Sequence, residues 1–343
     1  MFEKVLFMAD SHIRSRTWTN FMQLHGDAYC ALHKVSEQMQ NFKSPPEVLI
    51  IGGDWFDGNR PSSVDVMETF RFLSQFKMVL FVNGNHDKIV PSFLEVLQGL
   101  DLPFTQILNL QNSDARVLHC APDFHIAGLN WVENSAQLKA DLRVIADEFR
   151  NSGIDQPLYL VLHTSFQHLL GYDGSYKLSI KDIEEIFNGI QVRVLVGDIH
   201  TRDLTHISDM NGSYIHSPGS LYPRSFDKMM DDYAVSLIDT GTGEIKDIDC
   251  NVRAYYRYDY KSREELDQMV DIAKEESKSL PLPPFIRVVL PKDSDVKILQ
   301  TDYDGVVLQV VSSEAADHEE QYIRNTQEQY TPVSYTHLRA HET

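Results

Sequence analysis

The chain has 343 residues, 42% of them hydrophobic and 10% aromatic, a composition that excludes a disordered chain and a length at which a single core ordinarily gives way to two domains. Its formal net charge of -19 excludes nucleic-acid binding through a broad basic face, though not a deep site in which divalent cations supply the positive charge. Three scattered cysteines, Cys30, Cys120 and Cys250, form neither a disulfide framework nor a CxxC pair, and no apolar run has the length of a signal peptide or a membrane span, so a reducing, cytoplasmic compartment without a membrane is expected.

In chain order, the apolar runs KVLFMA (4–9), EVLII (47–51) and MVLFV (78–82) predict buried strands. The segments 21–40 and 63–76 between them have apolar residues at helical spacing. Strand, helix, strand predicts an α/β layered fold. Further strands are expected at 104–110, 115–120, 124–130 and 158–164, with helices at 134–151 and 179–188. VRVLVGDIHTR (192–202) is a strand running into a polar turn, and residues 233–250, centred on Asp-Thr-Gly-Thr-Gly, have the signature of a hairpin.

The texture changes near residue 253. A strand, a charged helix and a proline-rich break precede FIRVVLP and GVVLQVV, which predicts a small α/β domain over 251–313 appended to a larger one over 1–250. Residues 314–343 form a polar tail. Its last ten, SYTHLRAHET, match nothing before them, resemble translated adapter sequence and are set aside.

The chemistry gathers at the strand ends, where α/β folds hold their ligands. Asp10 and His12 follow the first strand, Asp54 the second and Gly84-Asn85-His86-Asp87 the third; later strands deliver His163, then Asp198 and His200. Any one of these histidines alone is more often a hydrogen-bonded core residue than a ligand. Five such groups in this order point to two divalent ions, which activate a water and neutralise charge on phosphorus. Asp54, a lone carboxylate between two ligand groups, is the expected bridge. Mixed oxygen and imidazole donors suit manganese, iron or zinc.

The series D-x-H, GD, GNHD, H and G-x-x-H resembles the calcineurin-like metallophosphoesterase superfamily, which carries a layered β-sandwich flanked by helices. Within it, GGDWFDGNRPSS (52–63) resembles the SbcD-type DNA repair nucleases, including phage recombination nucleases. The resemblance implies a DNA exonuclease and endonuclease that works in recombination and repair as a homodimer with an SMC-like coiled-coil ATPase, the appended domain serving as its cap. It implies that Asp10, His12, Asp54 and His200 hold the first metal, and Asp54, Asn85, His163 and Asp198 the second. His86 then faces the scissile phosphate as a catalytic group, with Asp87 expected to orient its ring.

Asp198 stands where the family pattern has histidine. A carboxylate there makes the site harder and favours manganese, or magnesium, over zinc; direct ligation and contact through water both remain open. Arg60, Arg202, Ser217, Ser220 and Arg224 are the expected contacts to DNA phosphates, and Tyr172 and Tyr176 could stack on an unpaired base. Two other readings stand beside the nuclease. A phosphoprotein phosphatase or small-molecule phosphodiesterase is raised by the likeness of GDWFDG to G-D-x-x-D-R-G, although Asn59 occupies the arginine position. An inactive scaffold is disfavoured, because every ligand position holds a ligating side chain.

Overall fold

A computed structural model describes residues 2–18, 21–58, 60–87, 91–100, 105–111, 116–170, 176–224 and 233–317. These residues fall into two compact units. The first comprises residues 1–14, 32–221 and 233–250; the second takes in 15–31, 222–232 and 251 onward.

In the first unit, six strands form one sheet in the order Ile245–Asp249, Ala234–Asp239, Lys4–Met8, Val48–Ile51, Met78–Phe81 and Gln106–Asn109. The last four run parallel. A second six-stranded sheet is ordered Asp203–His206, Tyr214–Ser217, Val192–Gly197, Leu158–His163, Phe124–Leu129 and Val117–Ala121, with its four central strands parallel. Val5, Phe7, Val48, Ile50 and Leu80 of the first sheet share a buried core with Ile126, Tyr159, Val161 and Leu195 of the second. The fold is therefore a β-sandwich.

The opposite faces are buried too. Leu158, Leu160, Leu162, Val192 and Val194 pack with Leu138, Leu142, Ile145 and Phe149 of the helix Ser135–Ser152 and with Ile183 and Ile186 of the helix Ile180–Ile186. Burial on both faces is why these strands have unbroken apolar runs in place of alternation.

In the second unit, Tyr255–Asp259, Phe285–Leu290 and Val307–Ser312 form a parallel sheet. The helix Arg263–Glu276 buries Leu266, Val270 and Ala273 against Ile286, Val288 and Leu308 of that sheet. One expectation needs correction here. Residues 21–25 do not open the predicted helix over 21–40; Phe21–His25 pairs antiparallel with Arg16–Trp18, and the helix spans Asp27–Gln40. Gly26, at φ +88°, makes the turn that ends the strand, while Trp18 and Leu24 pack with Tyr255 and Phe285. Residues 313–317 form a helical turn. The rest of the expected tail, together with Tyr172, lies outside the described residues.

Candidate metal centre

Parallel strands carry the chemistry to one edge. Lys4–Met8, Val48–Ile51 and Met78–Phe81 end before the Asp10, Asp54 and Asn85 turns, and Leu158–His163 with Val192–Gly197 bring His163 and Asp198 to the same edge of the other sheet. The turns are stitched together through the backbone. Asp10 N–H donates to Gly53 O at 3.2 Å and His12 N–H to Asp54 O at 3.0 Å. Asp198 N–H reaches both oxygens of Asp10, at 3.2 and 3.0 Å, and His86 N–H donates to Asp54 Oδ1 at 2.8 Å.

Backbone strain is concentrated here. Among the described residues, the non-glycine positions with positive φ are Asp10 (48°), His12 (41°), Asp54 (50°) and Asp198 (85°). Such conformations cost about 1–3 kcal/mol each and persist where the surrounding structure over-determines them. Gly84 is forced by a close approach, since a Cβ there would run into the Asp54 carboxylate and main chain.

Two overlapping groups of donors result. One atom each from Asp10, His12 and His200 lie within 4.8 Å of one another, as do those of Asp10, Asp54 and His163. Nε2 of His12 and Nε2 of His200 face each other at 3.2 Å. His163 donates from Nδ1 to the Gly52 carbonyl at 2.7 Å, which turns its Nε2 toward Asn85 Oδ1 at 3.0 Å, Asp54 Oδ2 at 3.5 Å and Asp198 Oδ1 at 3.8 Å. An imidazole pinned to a carbonyl from behind is the usual support for a metal ligand.

The electrostatics calls for cations. Burial, reinforced by the Asp54 and Asp198 charges, pushes the Asp10 carboxyl well above its usual range. Burial likewise raises Asp198, with Asp54 adding to the effect. Asp54 is also buried, but the imidazoles of His163, His86 and His12 outweigh burial and hold it low; the same charges carry His163 up to about 10 against its burial. A pocket of buried acids relieved by shared protons is one that divalent ions fit, and its oxygen and imidazole donors, without sulfur, match hard or borderline metals.

The catalytic pair departs from expectation. His86 is buried, with Nε2 3.8 Å from Asp54 Oδ2, but its Nδ1 meets the main-chain carbonyl of Asp57 at 2.8 Å. Asp87 accepts instead from Asp54 N–H at 3.0 Å and Gly84 N–H at 2.9 Å. It ties two site turns together, and the ring-orienting contact expected of it comes from Asp57. Sequence reasoning overlooked Asp57, although the second acid of GDWFD lies three residues beyond Asp54. Its carboxylate joins His12 and His86 in a third cluster of possible ligand atoms.

The expected phosphate contacts fare unevenly. Ser217 and Ser220 are buried. Ser217 donates to the Ile199 carbonyl at 3.1 Å and accepts from Gly219 N–H, while Ser220 N–H donates to His200 O at 3.3 Å. They brace the His200 turn from inside, a correction to their expected place on a DNA-facing surface. Arg202 is paired with Asp247. Arg60 is exposed, as is Tyr176. Arg224, in the second unit, donates to the Tyr222 hydroxyl at 3.1 Å.

A helix-flanked β-sandwich with acids, imidazoles and an amide at the strand ends is the architecture of a metal-dependent phosphoester hydrolase. The model of the calcineurin-like phosphoesterase family matches residues 3–267, and the chain belongs to that family. Over 87 residues it is 26% identical to the DNA double-strand break repair protein Mre11 of Nanoarchaeum equitans (strain Kin4-M), an alignment covering 24% of this chain and 23% of that protein. The chain thus spans about a quarter of that relative's length.

Proposed function

We propose that this protein is a dimetal-dependent DNA nuclease that hydrolyses phosphodiester bonds, with Asp10, His12, Asp54 and His200 around one ion and Asp54, Asn85, His163 and Asp198 around the other. The observation that carries the reading is the pair of overlapping donor groups sharing Asp10 beside a buried His86, in a family member similar over part of its length to a break repair protein. When bound, manganese or magnesium supplies Lewis acidity and acidifies a water. The chain's own contribution is position and a proton. A carbonyl only accepts, so His86 carries its proton on Nδ1, and its Nε2 is the atom placed to stabilise the phosphate or protonate the leaving oxygen.

The partners follow from the same reading. Val64, Met67 and Phe70 on the helix Ser63–Leu73 and Val96 on the helix Phe93–Gln98 are large apolar residues exposed to solvent, which supports a homodimer through these helices. The 251–313 domain serves as a cap on DNA, and an SMC-like ATPase is the proposed companion. Among the described residues, no helix is long and apolar enough to cross a membrane. The test is the purified protein with manganese on end-labelled duplex DNA, hairpin DNA and a generic phosphomonoester. Cleavage of DNA is expected; turnover of the phosphomonoester alone would overturn the nuclease reading in favour of a phosphatase.

A further inference from the structure

Asp57 makes three contacts that share one consequence. Its carboxylate Oδ2 is 2.6 Å from Arg14 Nη1, its Oδ1 is 3.5 Å from His12 Nδ1, and its main-chain oxygen is 2.8 Å from His86 Nδ1. The two imidazoles it meets stand edge to face with centroids 4.8 Å apart. Each turns its other nitrogen inward: His12 Nε2 lies 3.7 Å, and His86 Nε2 3.8 Å, from the same Asp54 Oδ2.

We propose that Asp57 is a positioning residue that fixes the tautomers of His12 and His86 together, its carboxylate, held by Arg14, drawing the proton of His12 to Nδ1 and its carbonyl doing the same for His86. The inference rests on the dimetal reading above and deepens it. A carboxylate paired with a guanidinium accepts and does not donate, and neither does a carbonyl. Both Nδ1 atoms therefore carry hydrogen. The Nε2 lone pair of His12 is then free for a cation, and the Nε2 of His86 is free for the substrate.

The backbone explains how one residue reaches both rings. His12 N–H and Ile13 N–H donate to Asp54 O and Trp55 O at 3.0 and 2.8 Å, and Ile13 and Phe56 form a parallel bridge, so the chain from 54 to 57 runs alongside 10 to 13. Asp57 is the first residue past that bridge. At 3.5 Å its contact with His12 is longer than an ordinary hydrogen bond. The inference requires it to shorten when a cation draws on Nε2 and makes the Nδ1 proton more acidic.

The experiment uses histidine-labelled full-length protein loaded with magnesium, which is diamagnetic, and reads the protonated nitrogen of each ring by heteronuclear NMR alongside metal affinity. In the wild type, both His12 and His86 are expected as single Nδ1–H tautomers. Asp57→Ala is expected to mix the tautomers of His12 and to weaken metal binding about tenfold to a hundredfold, while His86, still facing a main-chain carbonyl, keeps Nδ1–H. Asp57→Asn, which retains an acceptor oxygen and serves if the alanine variant does not fold, should lose less affinity and keep His12 mostly Nδ1–H. A His12 tautomer and metal affinity unchanged in both variants would overturn the proposal. So would loss of one ion per chain at saturation, which would make Asp57 a ligand. Wild-type protein that shows the locked tautomers yet leaves DNA uncut would support this inference and overturn the nuclease reading by itself.

Discussion

His86 is the residue on which chemistry and metal binding separate. It lies within reach of Asp54, yet its backbone N–H and its Nδ1 are both committed to the protein, which leaves Nε2 as its working atom. His86→Ala should lower kcat for DNA cleavage by about a hundredfold to ten-thousandfold with both ions still bound, as elemental analysis would show; loss of the metals would place His86 among the ligands. Asp198 makes the opposite demand. Its main chain braces Asp10, and its carboxylate, 3.8 Å from His163 Nε2, stands at the margin of the second group of donors. Asp198→Ala should weaken metal affinity and activity together, by about tenfold or more. Wild-type rate and metal dependence in that variant would remove Asp198 from the second metal. At this scale the sequence was legible where a residue type announces its chemistry. It was silent where role depends on contact: nothing in the residue type distinguishes Asp57, which meets both rings, from Asp87, which binds two amides, or a buried Ser217 from an exposed one.

Strands and turns carry the constraints that make these contacts possible. Because a Cβ on Gly84 would collide with Asp54, Gly84→Ala should displace the presumptive bridging carboxylate and lower metal affinity more than it lowers the melting temperature, whereas an unchanged affinity would show that the turn yields freely. The strand Tyr214–Ser217 contributes a buried titratable group remote from the metal ligands. His216 bonds the Asp203 carbonyl and the Ser236 hydroxyl, both at 2.7 Å. Burial, with a smaller contribution from the Arg202 charge, lowers its pKa to about 4 against that carbonyl bond. The folded state therefore binds fewer protons than the unfolded chain between an ordinary imidazole value of 6.5 and about 4, so the stability is full above that window and is lost as pH falls through it. Between pH ~7 and pH ~5 the wild type should lose about 2 kcal/mol more than His216→Gln, measured by urea unfolding of both in the same metal-free buffer; equal losses would contradict a neutral buried ring. Most elements were legible because strands buried on both faces leave apolar runs. Residues 21–25 were misread because Phe21 and Leu24 happen to continue the helical spacing of the segment after Gly26, and their partners, Tyr255 and Phe285, lie more than two hundred positions away.

For the molecule as a whole, the spacing of five short motifs along residues 10–200 carried more information than composition, since a net charge of -19 argues against DNA until the site is seen to need cations of its own. The motif order was legible because each group ends a strand. The participation of residues 15–31 and 222–232 in the second unit was not, because such assembly depends on contacts between distant segments. The central claim is that these strand ends hold two ions together. Anomalous diffraction at the manganese edge from crystals soaked in manganese measures this directly. Two peaks about 3.5–4 Å apart are expected, one among Asp10, His12, Asp54 and His200 and the other among Asp54, Asn85, His163 and Asp198; a single peak, or two that do not share Asp54, would contradict it.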